Sequence, residues 1–210
     1  MNPQKTITGI VLFFIFFSNA SAQNFDINLL KSINGHQSNF QDNYFKFTSN
    51  SVTYVNIAAP LGVLTAGFIK HDKQLQRDAV FMAGGFILST IVTHSLKSII
   101  KRDRPFITYS YIDKRDSGGG YSFPSGHTSA AFCTATSLSL LFPKWYVIAP
   151  AYIWAASVGY GRMYEGVHYP TDVVAGAIVG VGSAWLSYKA EKWYLKKYNK
   201  NKQHATAFAL

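Results

Sequence analysis

Residues 79–105 read AVFMAGGFILSTIVTHSLKSIIKRDRP: an apolar run over 79–100, with Lys97 near its end, followed by Lys101, Arg102, Arg104 and Pro105. A bilayer-spanning helix needs about 20 mostly apolar residues, and cations gather where such a helix meets lipid head groups. Pro105 lacks a backbone donor and restricts the residue before it, so the helix is expected to stop by Arg104. Working outward, four further apolar runs cover 52–69, 128–142, 145–160 and 173–188. The fold expected is all-α, a helical bundle with five membrane helices, or six if the N-terminal segment is retained. The rival reading is a soluble bundle with buried helices, because several runs fall short of a full span and most carry Ser, Thr, Asn or Gly.

Composition agrees with a membrane setting. Charged residues make up 14% and aromatic residues 16% of the chain, and the net charge is +10. A basic, aromatic-rich chain can bind nucleic acid. Here the cations sit at the ends of apolar runs, which favours anionic head groups and membrane lipids as partners and no nucleic acid. No obligate protein partner is implied. Cys133 is the only cysteine and lies within an apolar run, so it reads as a small core residue.

The chain divides into four stretches. Residues 1–22 combine Lys5, a short apolar stretch over 7–17 and Ala20-Ser21-Ala22, and read as an export signal or a first membrane helix. Residues 23–50 are amphipathic and are expected to form short helices on the membrane surface or over the domain, with no catalytic chemistry apparent. Residues 51–189 hold the apolar runs, and 190–210 form a basic cytoplasmic tail. Gly176 and Gly180 form a G-x-x-x-G pair that permits close helix approach. Threading the runs alternately through a bilayer from an external Gln23 places the loops after 79–100 and after 145–160 on one outer side.

Three motifs fall on that side. Lys97 and Arg104 are seven residues apart, near two helical turns, so both can face one site if the helix continues. Lys101 and Arg102 read instead as snorkelling anchors at lipid head groups. Pro124-Ser125-Gly126-His127 precedes an apolar run. Ser125 suits an N-cap, Gly126 permits close backbone approach to an anion, and His127 titrates near neutral pH and can act as a general acid. His168 and Asp172 stand four apart with Pro170 between them, a spacing that lets the carboxylate fix the imidazole tautomer. Arg162 offers a planar fork for phosphoryl oxygens. With no cysteine cluster or convergent carboxylates, no metal site is read and no cofactor is called for.

The order K-x6-R-P, P-S-G-H, R-x5-H-x3-D resembles the signature of the type 2 phosphatidic acid phosphatase (PAP2) family, related to bacterial acid phosphatases and vanadium haloperoxidases. The resemblance implies a metal-independent phosphatase acting on a lipid phosphate or pyrophosphate, such as undecaprenyl pyrophosphate, phosphatidic acid, phosphatidylglycerol phosphate or a lipid A phosphate. His168 would be the nucleophile that becomes a phosphohistidine, and His127 and Asp172 its catalytic partners. Lys97, Arg104, Ser125, Gly126 and Arg162 would bind the phosphate. The implied location is the bacterial cytoplasmic (inner) membrane, multi-pass, with the site on the periplasmic or external face. The loop over 106–123 would meet the head group as a lid. One departure stands out: the family usually has Ser before the third-motif arginine, and this chain has Gly161. A soluble periplasmic acid phosphatase, and a non-catalytic membrane protein that binds anionic lipids, are the alternatives.

Overall fold

A computed structural model of the chain describes residues 20–35 and 38–207, and every regular element among them is helical. In chain order these are α1 (Ala20–Asn34), α2 (Asn39–Ile69), α3 (Lys73–Ile100), α4 (Pro105–Thr108), α5 (Gly126–Leu141), α6 (Trp145–Tyr164) and α7 (Pro170–Ala207). Each of the five apolar runs forms one of the long helices. Three stretches, Asn39–Ile69, Lys73–Thr108 and Pro170–Tyr198, are long and apolar enough to cross a membrane. The 16 residues of α5 and the 20 of α6 do not meet that measure. The export-signal reading falls mainly on residues 1–19, outside the described residues.

Two boundaries differ from those expected. With no Gly or Pro between Asn39 and Ala59, nothing interrupts the helix near Asn50, and the second half of the amphipathic stretch becomes the opening turns of α2. Likewise the basic tail continues α7 as helix, with Lys192 over the Tyr188 ring and Lys197 over Trp193. Asp72 caps α3, its carboxylate accepting from the backbone N–H groups of Gln74 and Leu75.

The bundle is wound about α5. That helix is built from small residues, and Ala131, Cys133 and Ala135 are almost wholly buried. Small side chains let neighbouring backbones come close, and short hydroxyl bonds then join the helices. Thr134 bonds Asn56 on α2, Thr93 on α3 bonds Ser129, and Thr136 pairs with Tyr152 on α6. One apolar cluster gathers Val52, Ala131, Ala155 and Val158, and another gathers Val63, Ala79 and Met82. The outer faces tell the bundle's surroundings: Ile57, Leu61, Phe68, Ile87, Ile91, Val174 and Ile178 are each more than half exposed. So many exposed apolar side chains on the long helices suit lipid, and a soluble bundle would leave them in water.

The G-x-x-x-G pair works within the chain. A Cβ on Gly176 would lie 2.6 Å from the Ser125 carbonyl oxygen, and one on Gly180 would lie 2.2 Å from that of Ser129 and 2.8 Å from the Cys133 nitrogen. These glycines let α7 press backbone to backbone on the N-terminal half of α5, which carries the second motif. Gly180→Ala must therefore push the helices apart, at a cost of about 1–3 kcal/mol or more. Its melting temperature in detergent is expected to fall well below wild type. Gly182→Ala, where a Cβ meets nothing within 4 Å, is expected to leave it unchanged.

All three motifs reach one end of the bundle. The C-termini of α3 and α6 and the N-termini of α5 and α7 meet there. There α1 contacts α6 and α7, and its Ile27 and Leu30 pack with Ile112 and Tyr169.

Candidate active site

At this end α6 terminates and the chain turns back before α7. Gly166 makes the turn at φ +70°, where a Cβ would stand 2.3 Å from the Asp113 carbonyl oxygen. The N–H groups of Val167 and His168 both donate to the Arg162 carbonyl at 3.2 Å. Pro170 then opens α7, which sets His168 just outside the helix and Asp172 in its first turn.

His168 is 2% exposed and Asp172 fully buried. The imidazole Nδ1 lies 3.5 Å from Asp172 Oδ2 and 3.4 Å from Ser122 Oγ. Asp172 Oδ2 also accepts from the Ser122 hydroxyl and from the Tyr169 N–H at 2.9 Å. On the other side of the ring, Nε2 lies 3.5 Å from Arg104 Nη1. With Nδ1–H turned to the carboxylate, the Nε2 lone pair faces the cationic part of the site. Burial, opposed by the hydrogen bond and charge of Asp172 and aided by the lesser effects of Arg104 and Arg162, pushes the His168 pKa down to about 3. A pKa so low leaves the ring neutral at pH 7.

Arg104 is held by carbonyls. Its Nε donates to Gly120 O at 3.0 Å, Nη2 to Gly119 O at 2.7 Å and Nη1 to Val167 O at 3.0 Å. The three-glycine run lies directly on this guanidinium, and a Cβ at Gly118 would come within 2.8 Å of Nη1. Lys97 Nζ reaches the carbonyls of Tyr121 and Ser122 at 2.5 and 3.1 Å. Lys97 and Arg104 do share the site, though not along one helix. α3 ends at Ile100, Lys101 takes a left-handed conformation (φ 51°), and Arg104 is the extended N-cap of α4.

Arg162 is almost wholly buried, and its Nη1 pairs with Asp116 Oδ2 at 2.5 Å and Glu165 Oε2 at 2.8 Å. Glu165 also accepts from Ser49 Oγ at 3.1 Å, and burial pushes its pKa up to about 7 despite Arg162. Asp116 lies in the loop over 106–123, and although burial opposes it, the Arg162 hydrogen bond and charge hold its pKa down. Gly161 has a structural reason: a Cβ there would lie 3.2–3.3 Å from Phe45, whose ring also packs on Tyr164. A serine there would need Phe45 to give way by a few tenths of an ångström.

Ser125 sits at the N-cap of α5 but makes no side-chain cap. Its hydroxyl instead accepts from Thr128 Oγ1 at 2.8 Å, and its N–H donates to the Asp172 carbonyl at 3.0 Å. Gly126 and His127 open α5 and line a cavity of about 370 Å³ between α2, α3 and α5, whose walls include Val52, Ile57, Phe86 and Ala130. His127 is pushed down to about 4 by burial and Arg162, with Asp116 opposing and Arg104 and Lys97 adding to the effect. All four of those charges act on it, so it belongs to the same electrostatic site. His94 is exposed on the wall of this cavity.

Three participants were not expected. Arg102, taken for a lipid anchor, turns inward to bond Asp172 Oδ1 at 2.8 Å and Asp26 Oδ2 at 2.7 Å. Charge-assisted hydrogen bonds to two carboxylates hold the partly exposed guanidinium there. Asp26 lies in the stretch where no catalytic chemistry was apparent. Ser122 had no motif around it.

Known proteins place the chain. The PAP2 superfamily model matches residues 78–196. A lipid A 4'-phosphatase of Bacteroides thetaiotaomicron is 33% identical over 171 residues, covering 78% of this chain and 75% of that one. An undecaprenyl-diphosphatase of Sulfolobus acidocaldarius is 31% identical over 170 residues, covering 80% and 79%. The crystal structure of Aquifex aeolicus LpxE superposes with a TM-score of 0.68 at 29% identity, covering 79% of this chain and 95% of that one. With the motif residues gathered at one end of a helical bundle and more than half the chain matched, this protein belongs to the PAP2 superfamily.

Proposed function

We propose that this protein is a metal-independent phosphatase that cleaves a lipid phosphate or pyrophosphate through a phosphohistidine on His168. The observation that carries the reading is the His168 ring itself: Nδ1 backed by Asp172, Nε2 turned to Arg104, and the imidazole neutral. The lone pair of Nε2 attacks phosphorus, the phosphorus–oxygen bond to the leaving group breaks, and protonated His127 gives that oxygen its proton. Water then attacks the phosphohistidine, loses a proton to His127 and frees the imidazole. Lys97, Arg104 and Arg162 neutralise the phosphoryl oxygens, helped by the N–H groups at the start of α5 beside Ser125 and Gly126. An entering phosphate competes with Asp116 for Arg162. The apolar cavity against His127, on the side where the leaving group must lie, supports a lipid as that group.

The names of the relatives favour lipid A and undecaprenyl diphosphate within a panel that also contains phosphatidic acid and phosphatidylglycerol phosphate. Purified protein in detergent is expected to release inorganic phosphate from at least one of the four in EDTA. No release from any of them overturns the reading.

We further propose the outer face of a bacterial inner membrane for the site. A cysteine placed at Ser117, exposed in the loop over the site, is expected to react with an impermeant thiol reagent from the periplasmic side. One at Asn201, near the far end of α7, is expected not to react. The reverse labelling pattern would put the site on the cytoplasmic face.

A further inference from the structure

Asp26 is only 2% exposed, and its partners come from two distant parts of the chain. Its Oδ1 accepts from the Thr171 N–H at 2.9 Å, and its Oδ2 accepts from Thr171 Oγ1 at 2.6 Å and Arg102 Nη2 at 2.7 Å. Thr171 stands in the first turn of α7, so a carboxylate from α1 caps the helix that carries Asp172. The other arm of Arg102, Nη1, donates to Asp172 Oδ1 at 2.8 Å, and the guanidinium lies over the Tyr169 ring, 3.7 Å from its centroid. Asp172 is thus gripped on Oδ1 by Arg102, while Oδ2 is left for Ser122, the Tyr169 N–H and His168.

We propose that Asp26 is a positioning residue that acts on the nucleophile through Arg102 and Asp172, and that α1 is thereby part of the catalytic apparatus. The inference rests on the phosphohistidine reading given above. Its physical content is a charge count. Asp26, Arg102 and Asp172 together carry two carboxylates against one guanidinium, one net negative charge behind the imidazole. When Nε2 bonds to phosphorus, positive charge develops on the ring, and that net negative charge stabilises it. Arg102 with Asp172 alone would be neutral and would lose this effect. Asp26 restores the balance while letting Arg102 keep its geometric hold on Oδ1.

The test compares purified wild type, Asp26→Asn, Asp26→Glu and the double variant Asp26→Asn with Arg102→Gln on the same four lipid phosphates. Asp26→Asn keeps the size and neutralises the trio, and it turns its amide NH2 toward a donor, the Thr171 N–H or Arg102. It is expected to lower kcat about tenfold and leave KM within about twofold, because Asp26 has no contact with Lys97, Arg104 or Arg162. The double variant removes the guanidinium as well and returns the net charge to that of Asp172. Its kcat is expected to recover to within about threefold of wild type, although it has lost more hydrogen bonds. Asp26→Glu keeps the charge and is expected to keep most of the turnover. A merely structural role predicts the opposite order, with the double variant the worst. Wild-type kcat in Asp26→Asn, or a double variant slower than the single one, overturns the inference while the phosphatase reading stands. No turnover by wild type overturns both. If Asp26→Asn fails to accumulate in the membrane, Asp26→Glu and the double variant decide the matter. Both keep the net charge, and loss of turnover in either as folded protein overturns the proposal.

Discussion

Replacing His168 with alanine is expected to abolish turnover, by about 10⁴-fold or more, in a protein that still folds and inserts. The fold should survive because the buried partner is not orphaned. Asp172 keeps Arg102 on one oxygen and Ser122 and the Tyr169 N–H on the other. Arg104 keeps its three carbonyl acceptors. What disappears is the Nε2 lone pair, the atom that faces Arg104 Nη1 at 3.5 Å. A quench in alkali after brief exposure to radiolabelled lipid phosphate adds a direct check, since phosphohistidine survives base. Wild type should retain label and His168→Ala should not. A variant with most of the wild-type rate, or one that still takes up label, would move the nucleophile elsewhere.

The three motifs were legible because each is local. His168 and Asp172 are one helical turn apart, and the Ser-Gly-His junction opens a helix whatever surrounds it. The long helices were legible for the same reason, since apolar runs need no partner to be recognised. What sequence spacing could not convey is the set of contacts between residues far apart in the chain. Arg102 meets Asp26 across 76 positions and Asp172 across 70. Seen alone, Arg102 beside Lys101 has the composition of a lipid anchor. Only the end of α3 at Ile100 and the left-handed turn at Lys101 swing it inward. Ser122 reaches Asp172 across 50 residues from a loop with no pattern. Gly161 belongs to the same class. From sequence it was a missing hydroxyl, and in the fold it is space for Phe45, contributed by a helix more than a hundred residues earlier.

His127→Ala is expected to be slowed about 100- to 10,000-fold on a lipid phosphomonoester, whose alkoxide leaving group needs a proton. A nitrophenyl phosphate has a stable anionic leaving group, so transfer of its phosphoryl group to His168, the first step, is expected to be partly spared, whereas His168→Ala should fail equally on both. The pKa of His127 makes the test sharper. Burial and then Arg162 hold it near 4, with Arg104 and Lys97 acting the same way against Asp116. At pH 7 so low a value would leave about one imidazole in a thousand protonated. A bound phosphate brings negative charge among those same cations, offsets them, and raises the pKa toward the working range. An acid must hold its proton, so turnover falls as pH rises through its pKa. The alkaline limb of kcat on the lipid ester should therefore lie well above pH 4, because kcat reports the substrate complex. That limb should be absent in His127→Ala. Nitrophenyl phosphate should show a second sign. Because His127 also takes the proton from the attacking water, the variant should release a burst of nitrophenolate and then stall with label on His168. Equal losses in the first step on good and poor leaving groups, with the alkaline limb unmoved, would assign His127 to phosphate binding rather than to proton transfer.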